Sequence, residues 1–157
     1  SQPATLIHFA AHSQKSCPHN FLKELSLVLN VLLIALAGGL GAVARYSTGL
    51  IVIRIIPEEH FPWATFTVNM IGCLLFGIIF SATDSATQWT PETLARIRMV
   101  LLTGFMGAFT TYSTFAFQSA ILIQQDKWAL AFGNIAGQTV IGILAIFAGL
   151  YLGKTVF

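Results

Sequence analysis

The stretch Thr103-Gly-Phe-Met-Gly-Ala-Phe-Thr-Thr-Tyr-Ser-Thr-Phe-Ala-Phe-Gln118 decides how the chain is read. It lies inside an apolar run long enough to cross a bilayer, yet Thr110 to Thr114 makes a poor membrane helix. Two glycines precede a cluster of β-branched hydroxyl residues and aromatics there. In hydrocarbon each unsatisfied peptide group costs several kcal/mol, so loosened backbone must be buried in protein or line a watery cavity. A spanning helix that breaks at mid-membrane is therefore a place to look for an ion or substrate site.

The composition around this stretch excludes a soluble domain. Of the 157 residues, 55% are hydrophobic and 9% charged, against a usual charged share of about 25%. So few charges do not cover a soluble surface, and the length suits four short membrane helices. The net charge of +2 is scattered, with no Lys/Arg-rich run to bind nucleic acid. Cys17 sits in a polar leader and Cys73 in an apolar helix, so no bridge between them is expected.

Working outward, the break belongs to a third helix from about Ile97 to Ile123, with Asp84 to Arg98 a polar loop before it. Within that loop, Thr90-Pro91-Glu92 has the form of a capped helix start. A second helix, Trp63 to about Ala82, carries no charge and places Thr65, Asn69 and Cys73 on one face at i, i+4 and i+8. The first helix starts near Leu25. Its pairs Ala37/Gly41 and Gly38/Ala42 permit close backbone approach, the usual way membrane helices pack. From Leu25 to Ile56 is too long for one straight span, so its end is expected to bend or lie along the interface. A fourth helix, Lys127 to about Gly153, has the packing faces Gly133-xxx-Gly137 and Gly149-xxx-Gly153, with Asn134 and Gln138 one turn apart. Exposure of those two amides to lipid is expensive, so they are expected to face the interior or a pore. Trp63, Trp89 and Trp128 lie near span ends, at the headgroup level that such rings favour.

Two domains result: residues 1–24 as a polar leader or flexible tail, and 25–157 as a four-helix membrane channel domain. His8, His12, Cys17 and His19 are metal-ligand types, but their spacing specifies a site only loosely. Lys15, Lys23, Arg96, Arg98 and Lys154 fall on one side of the membrane, and Arg45, Arg54 and Lys127 on the other. Leaving out the remote Lys15, the bias is four against three, which barely sets an orientation.

None of the apolar runs holds a carboxylate or histidine, the groups that proton-coupled transporters generally need. No Ser/His/Asp or paired-carboxylate set is present either, so no enzyme is expected. What remains is a lining of neutral polar and aromatic side chains: Thr65, Asn69, Thr110, Thr111, Tyr112, Ser113, Thr114, Phe115, Gln118, Asn134 and Gln138. Amide and hydroxyl donors suit an anion, and so do ring edges, the positive part of the aromatic quadrupole. Arg45 can raise the local anion concentration at a vestibule. Each side chain taken alone is as well explained by tying helices together; the acid-free set as a whole favours a pore.

Three separated motifs, Gly38-Gly-Leu-Gly-Ala-Val-Ala-Arg-Tyr46, Thr65-Phe-Thr-Val-Asn-Met-Ile-Gly72 and Gly104-Phe-Met-Gly-Ala-Phe-Thr-Thr-Tyr-Ser-Thr-Phe115, together resemble the CrcB/Fluc fluoride channels over roughly residues 30–153. The resemblance implies an all-α, dual-topology homodimer of antiparallel four-helix subunits in the cell (inner or plasma) membrane, passively exporting fluoride. It implies a structural sodium ion at the dimer centre, held by backbone carbonyls of Gly107 and Thr110. It also implies a fluoride path along Asn69, Thr65, Tyr112, Phe115, Thr114 and Gln118, with Arg45 on helix one and Asn134 and Gln138 on a polar track. Three positions depart from the family pattern: Tyr112 replaces a phenylalanine, Gln118 a common glutamate and Ala108 a glycine. The alternative of similar size is a small dual-topology multidrug (organic cation) exporter, which needs a membrane-buried carboxylate that this chain lacks.

Overall fold

The computed structural model describes residues 18–57 and 60–156, and every regular element among them is a helix. In chain order they are α1 (Pro18–Ile55), α2 (Trp63–Ser85), α3 (Pro91–Arg98), a π-helix (Met99–Met106), α4 (Gly107–Phe109), α5 (Tyr112–Gln124) and α6 (Trp128–Val156). They form four stretches long and apolar enough to cross a membrane, as the sequence predicts: Phe21–Ile55, Trp63–Ser85, Pro91–Gln124 and Trp128–Val156.

The ends of two spans differ from expectation. α1 starts at Pro18 and not Leu25, because proline at the first helical position has its φ preset and no donor to lose. The helix therefore enters the segment expected to be a leader; residues 1–17, with His8, His12 and Cys17, lie outside the described residues. At 38 residues α1 is unbroken to Ile55, with no separate interfacial segment. A helix of that length measures about 57 Å, nearly twice the ~30 Å hydrocarbon thickness, so it extends beyond the bilayer before Pro57 ends it.

The third span also begins earlier than expected. Thr90 accepts the Thr93 N–H at 3.3 Å and Pro91 takes the first helical position, the expected cap. From there the helix runs into the π-helix without a loop. Its two arginines hold this end to its neighbours: Arg98 donates to Asp84 at 2.9 Å and to the Thr83 hydroxyl at 3.0 Å. The same guanidinium stacks 5.0 Å above the Phe80 ring, while Arg96 reaches Ser26 of α1 at 3.3 Å. Of the stretch Asp84 to Arg98 expected to be a polar loop, Pro91–Arg98 is two turns of helix that begin at the expected cap and are held by these arginine contacts.

Glycines set the packing. A Cβ on Gly149 would meet the Leu74 carbonyl, and one on Gly77 the Ile146 carbonyl, so α2 and α6 touch backbone to backbone. Gly153 lies against Ser81 and the Ile78 carbonyl and extends the seam. On the other side of α2, Ala37 and Gly41 of α1 receive Gly104 and Phe105 of the π-helix, as the small-residue pairs predict. The pair Gly133/Gly137 does not behave this way. A methyl group on Gly133 would have no neighbour within 4 Å, and one on Gly137 would face only the Phe66 ring, at 3.3 Å. Within this chain the pair makes no backbone-to-backbone contact: Gly133 is open and Gly137 meets only a side chain of α2. The enclosed apolar centre is small, Val68, Met106 and Phe109, and most large aliphatic side chains point outward, as they do where the surroundings are lipid.

Candidate functional site

The break occupies two residues. Thr110 (φ −83°, ψ 163°) and Thr111 (φ −147°, ψ 108°) are extended between α4 and α5. Thr110 still donates from its N–H to Met106 O at 3.1 Å, and its hydroxyl donates to the same carbonyl at 3.1 Å. The next peptide leaves the helix. Thr111 N–H donates to Asn69 Oδ1 at 2.9 Å, and Asn69 Nδ2 donates back to Thr111 O at 3.2 Å. In a continuous α-helix Thr111 N–H would bond Gly107 O, so that carbonyl loses its intrahelical donor. Arg45 Nη1 donates to Thr110 O at 3.3 Å. Thr111 Oγ1 then accepts the Thr114 N–H at 3.3 Å and starts α5 as its N-cap, a position where a hydroxyl side chain is favoured.

Two local features permit this geometry. In the π-helix that precedes it, Gly107 N–H reaches back to Leu102 O, five residues away; such turns insert an extra residue and rotate the downstream helix. Gly72 of α2 lies against the break itself. A Cβ there would collide with Thr110 Cγ2 and come within 3.4 Å of the Phe109 ring.

From Asn69 a chain of hydrogen bonds runs in one direction through three helices. Asn69 Nδ2 donates to Gln138 Oε1 at 2.6 Å, and Gln138 Nε2 to Asn134 Oδ1 at 2.9 Å. Asn134 Nδ2 donates to Ser119 Oγ at 2.9 Å, and Ser119 to Phe115 O at 2.9 Å. The chain therefore ties the break at Thr111 to the first turn of α5. Ser119 is not among the residues that the sequence singles out. A signal for it exists: α5 and α6 are joined by a tight turn at Asp126, so residues 119 and 134, at nearly equal distances from it along the chain, face each other.

Two cavities open on the break and a third lies at the far end of α5, and the sequence-derived residues divide among them. One of about 380 Å³ is lined by Asn69, Thr110, Thr111, Tyr112, Phe115 and Gln138, with Cys73 on its wall. Tyr112 and Phe115 meet edge to face there, ring centres 5.5 Å apart. A second, about 350 Å³, lies on the α1 side and brings together Arg45, Thr65, Thr111 and Thr114. Thr65, although one turn from Asn69, thus opens on Arg45 and not on the aromatic pair. Gln118 lines a third cavity of about 360 Å³ with His60, Gln125 and Lys127, and its buried Oε1 has no hydrogen-bond partner. Asn134 is 0% exposed and lines none of the three. Gly107 lies on an exposed face. Among the described residues, no carboxylate lines these cavities and no cluster of potential metal-ligating side chains occurs. Neutral N–H and O–H donors and ring edges are what the first offers; the other two add the Arg45 guanidinium, and the His60 imidazole with the Lys127 ammonium.

Residues 32–150 match the family model described as CrcB-like protein, Camphor Resistance (CrcB). The chain belongs to the CrcB family. It is similar to the fluoride-specific ion channel FluC of Solidesulfovibrio magneticus, 45% identical over 123 residues that cover 78% of this chain and 94% of that protein. The protein of that name from Maridesulfovibrio salexigens is 42% identical, covering 80% of this chain and 95% of the relative. The one from Gloeothece citriformis is 37% identical, covering 81% and 98%. These relatives are named as channels and not as enzymes. With four spans of adequate length and apolarity, this CrcB-family chain is a multi-pass membrane protein. Its family match begins well after Pro18, so the N-terminal turns of α1 precede the shared domain.

Proposed function

We propose that this chain is a fluoride channel that lets the ion leave the cell passively across the cell membrane and so limits its toxicity. The observation that carries the reading is the cavity beside the break, walled by Asn69, Tyr112, Phe115 and Gln138 and free of carboxylates. A small, strongly hydrated anion needs replacement donors when it sheds water, and amide N–H, hydroxyl and ring edges supply them without a counter-charge to trap it. The Arg45 cavity with Thr65 and Thr114 serves as a positive vestibule, and the cavity at Gln118 with Lys127 as a second mouth. Asn134 supports this path through Gln138. An organic-cation exporter finds no support here, because the cavity lacks the acid that would bind a cation.

The functional unit in this reading is an antiparallel dimer of the chain in dual topology. Tyr112 is 79% exposed in the single chain, an expensive position for a hydroxyl against lipid and a natural one for a pore wall completed by a second copy. The near balance of charge between the two ends allows both insertions. A structural, non-transported sodium ion fits the same arrangement. Gly107 O has lost its helical donor, and Thr110 O, directed out of the helix by its extended backbone, keeps one lone pair beside its long contact with Arg45. Neutral carbonyl oxygens are the donors a hard cation takes, and a second copy would supply the same pair again.

Efflux from proteoliposomes tests the function. Vesicles loaded with fluoride should release it when a potassium ionophore is added, while chloride stays trapped. Fast chloride release, or no fluoride release from monodisperse protein, overturns the reading.

A further inference from the structure

We propose that the Thr111 peptide, freed by the break, orients the Asn69 amide so that its N–H edge and not its oxygen faces the anion path. This inference rests on the fluoride-channel reading above. A primary amide presents donors at one end and an acceptor at the other with nearly the same shape. Turned over, Asn69 would aim an oxygen at the cavity, and an anion would be repelled where it should be bound. The orientation is therefore a selectivity element, and something must fix it.

Thr111 is placed to do so. Its N–H donates to Asn69 Oδ1 at 2.9 Å and its carbonyl accepts from Asn69 Nδ2 at 3.2 Å. A turned amide would set N–H against N–H and oxygen against oxygen, losing both bonds at once. The two-point contact depends on backbone conformation. In an extended residue the N–H and C=O lie on the same side of the chain, as they do along a sheet ladder; in a helix they point in opposite directions along the axis. Thr111, at φ −147° and ψ 108°, can offer both groups to one side chain, and no helical residue can. The break thus has a second use besides freeing carbonyls: it supplies a template for the amide on α2.

The remaining Nδ2 hydrogen points at Gln138 Oε1, 2.6 Å away on the wall of the same cavity. Gln138 is the partner that yields to an anion, since it has its own anchor on Asn134 at 2.9 Å, whereas the Thr111 contacts stay in place. Asn69 is the donor, and the Thr111 backbone is the positioning group.

The test removes the Thr111 donor. Replacing Thr111 by its α-hydroxy acid converts the peptide into an ester, which deletes the N–H and also weakens Thr110 O, the acceptor of Arg45; the double variant with Asn69→Ala separates the two effects. Fluoride release from proteoliposomes should fall at least tenfold and the fluoride-to-chloride ratio should fall with it; general damage to the fold would instead leave the ratio unchanged or release both ions. Asn69→Ala made in the ester background should add nothing further. An ester channel as fast and selective as the native one, with Asn69→Ala alone slow, overturns the proposal. A second measurement needs no flux: hydrogen exchange of the Thr111 N–H, read by NMR in micelles, should quicken at least tenfold in Asn69→Ala. Unchanged exchange overturns the orientation role even if the channel reading stands. Native protein that passes no fluoride, yet shows the exchange effect, removes the channel reading and leaves the clamp.

Discussion

The seam between α2 and α6 and the break between α4 and α5 solve the membrane problem in opposite ways. At the seam, Gly77, Gly149 and Gly153 remove side chains so that backbones touch. The gain there is dispersion at close range, and the structure is complete within one chain. At the break, peptide groups leave the helix and are recaptured by Arg45 and Asn69, while Tyr112 stands exposed. That region recaptures the Thr110 and Thr111 peptide groups, leaves Gly107 O without its helical donor, and keeps an aromatic side chain exposed. α2 serves both, with Gly77 facing the seam and Asn69 and Gly72 facing the break. Stability and function are therefore carried by different contacts of the same helix, and substitutions should separate them.

The largest separation is expected at the seam. Gly149→Leu must place atoms where Leu74 O stands, with Ile78 N at 3.0 Å and Gly77 Cα at 3.1 Å from its Cβ alone. Backbone cannot yield as a side-chain tip does, and overpacking of this kind costs about 3 kcal/mol or more. Thermal melting in detergent should show a loss of that size, or no monodisperse protein at all. A variant that melts like the native protein would mean that the seam is looser than its glycines imply.

At the break the expected change is in transport and not in folding. Phe115→Ile keeps an apolar side chain of similar bulk in a half-buried position, a swap that typically costs under about 1.5 kcal/mol of stability. It deletes the ring that meets Tyr112 edge to face at 5.5 Å. Fluoride efflux should slow about tenfold, equivalent to ~1.4 kcal/mol in the barrier, with little change in melting. Equal flux would remove Phe115 from the path.

How much of this is legible in the sequence depends on the same contrast. The break is readable because β-branched hydroxyl residues after glycines are locally inconsistent with a spanning helix; Gly107, Thr110 and Thr111 are all within reach of that argument. The seam is readable at Gly149 and Gly153 from their spacing. What spacing does not carry is the partner: Gly133 and Gly137 have the same four-residue step, yet tertiary arrangement makes Gly149/Gly153 a close seam, sets Gly137 against a ring of α2 and leaves Gly133 open. The π-helix is invisible because its residues, Met99 to Met106, have no composition that sets them apart from α-helix. Likewise, nothing local distinguishes Thr65 from Asn69 on one face of α2, although they open on different cavities.

A smaller effect is expected at the membrane end that joins α2 to α3. Asp84 and Arg98 pair at 2.9 Å with side chains 66% and 32% exposed, and exposed pairs contribute less than about 1 kcal/mol. In Asp84→Asn, Arg98 keeps the Thr83 hydroxyl at 3.0 Å and the Phe80 ring. Melting should shift by less than about 1 kcal/mol and efflux should be unchanged. A larger loss would show that this end, like the seam, is closed by contacts internal to one chain.

The smallest effect, and the one that best sharpens the comparison, is expected at Gly133. It lies on the same helix as Gly149 and has the same spacing motif, but open space surrounds it in the single chain. Gly133→Ala adds a methyl that meets nothing, and alanine is favoured over glycine inside a helix by roughly 0.8–1.0 kcal/mol in water. The substitution should leave the melting temperature level or slightly raised, with efflux intact. If instead the protein loses its oligomer on size-exclusion chromatography, a second copy must pack its backbone against Gly133. The open glycine would then be a seam of the same kind as Gly149, completed between chains and not within one.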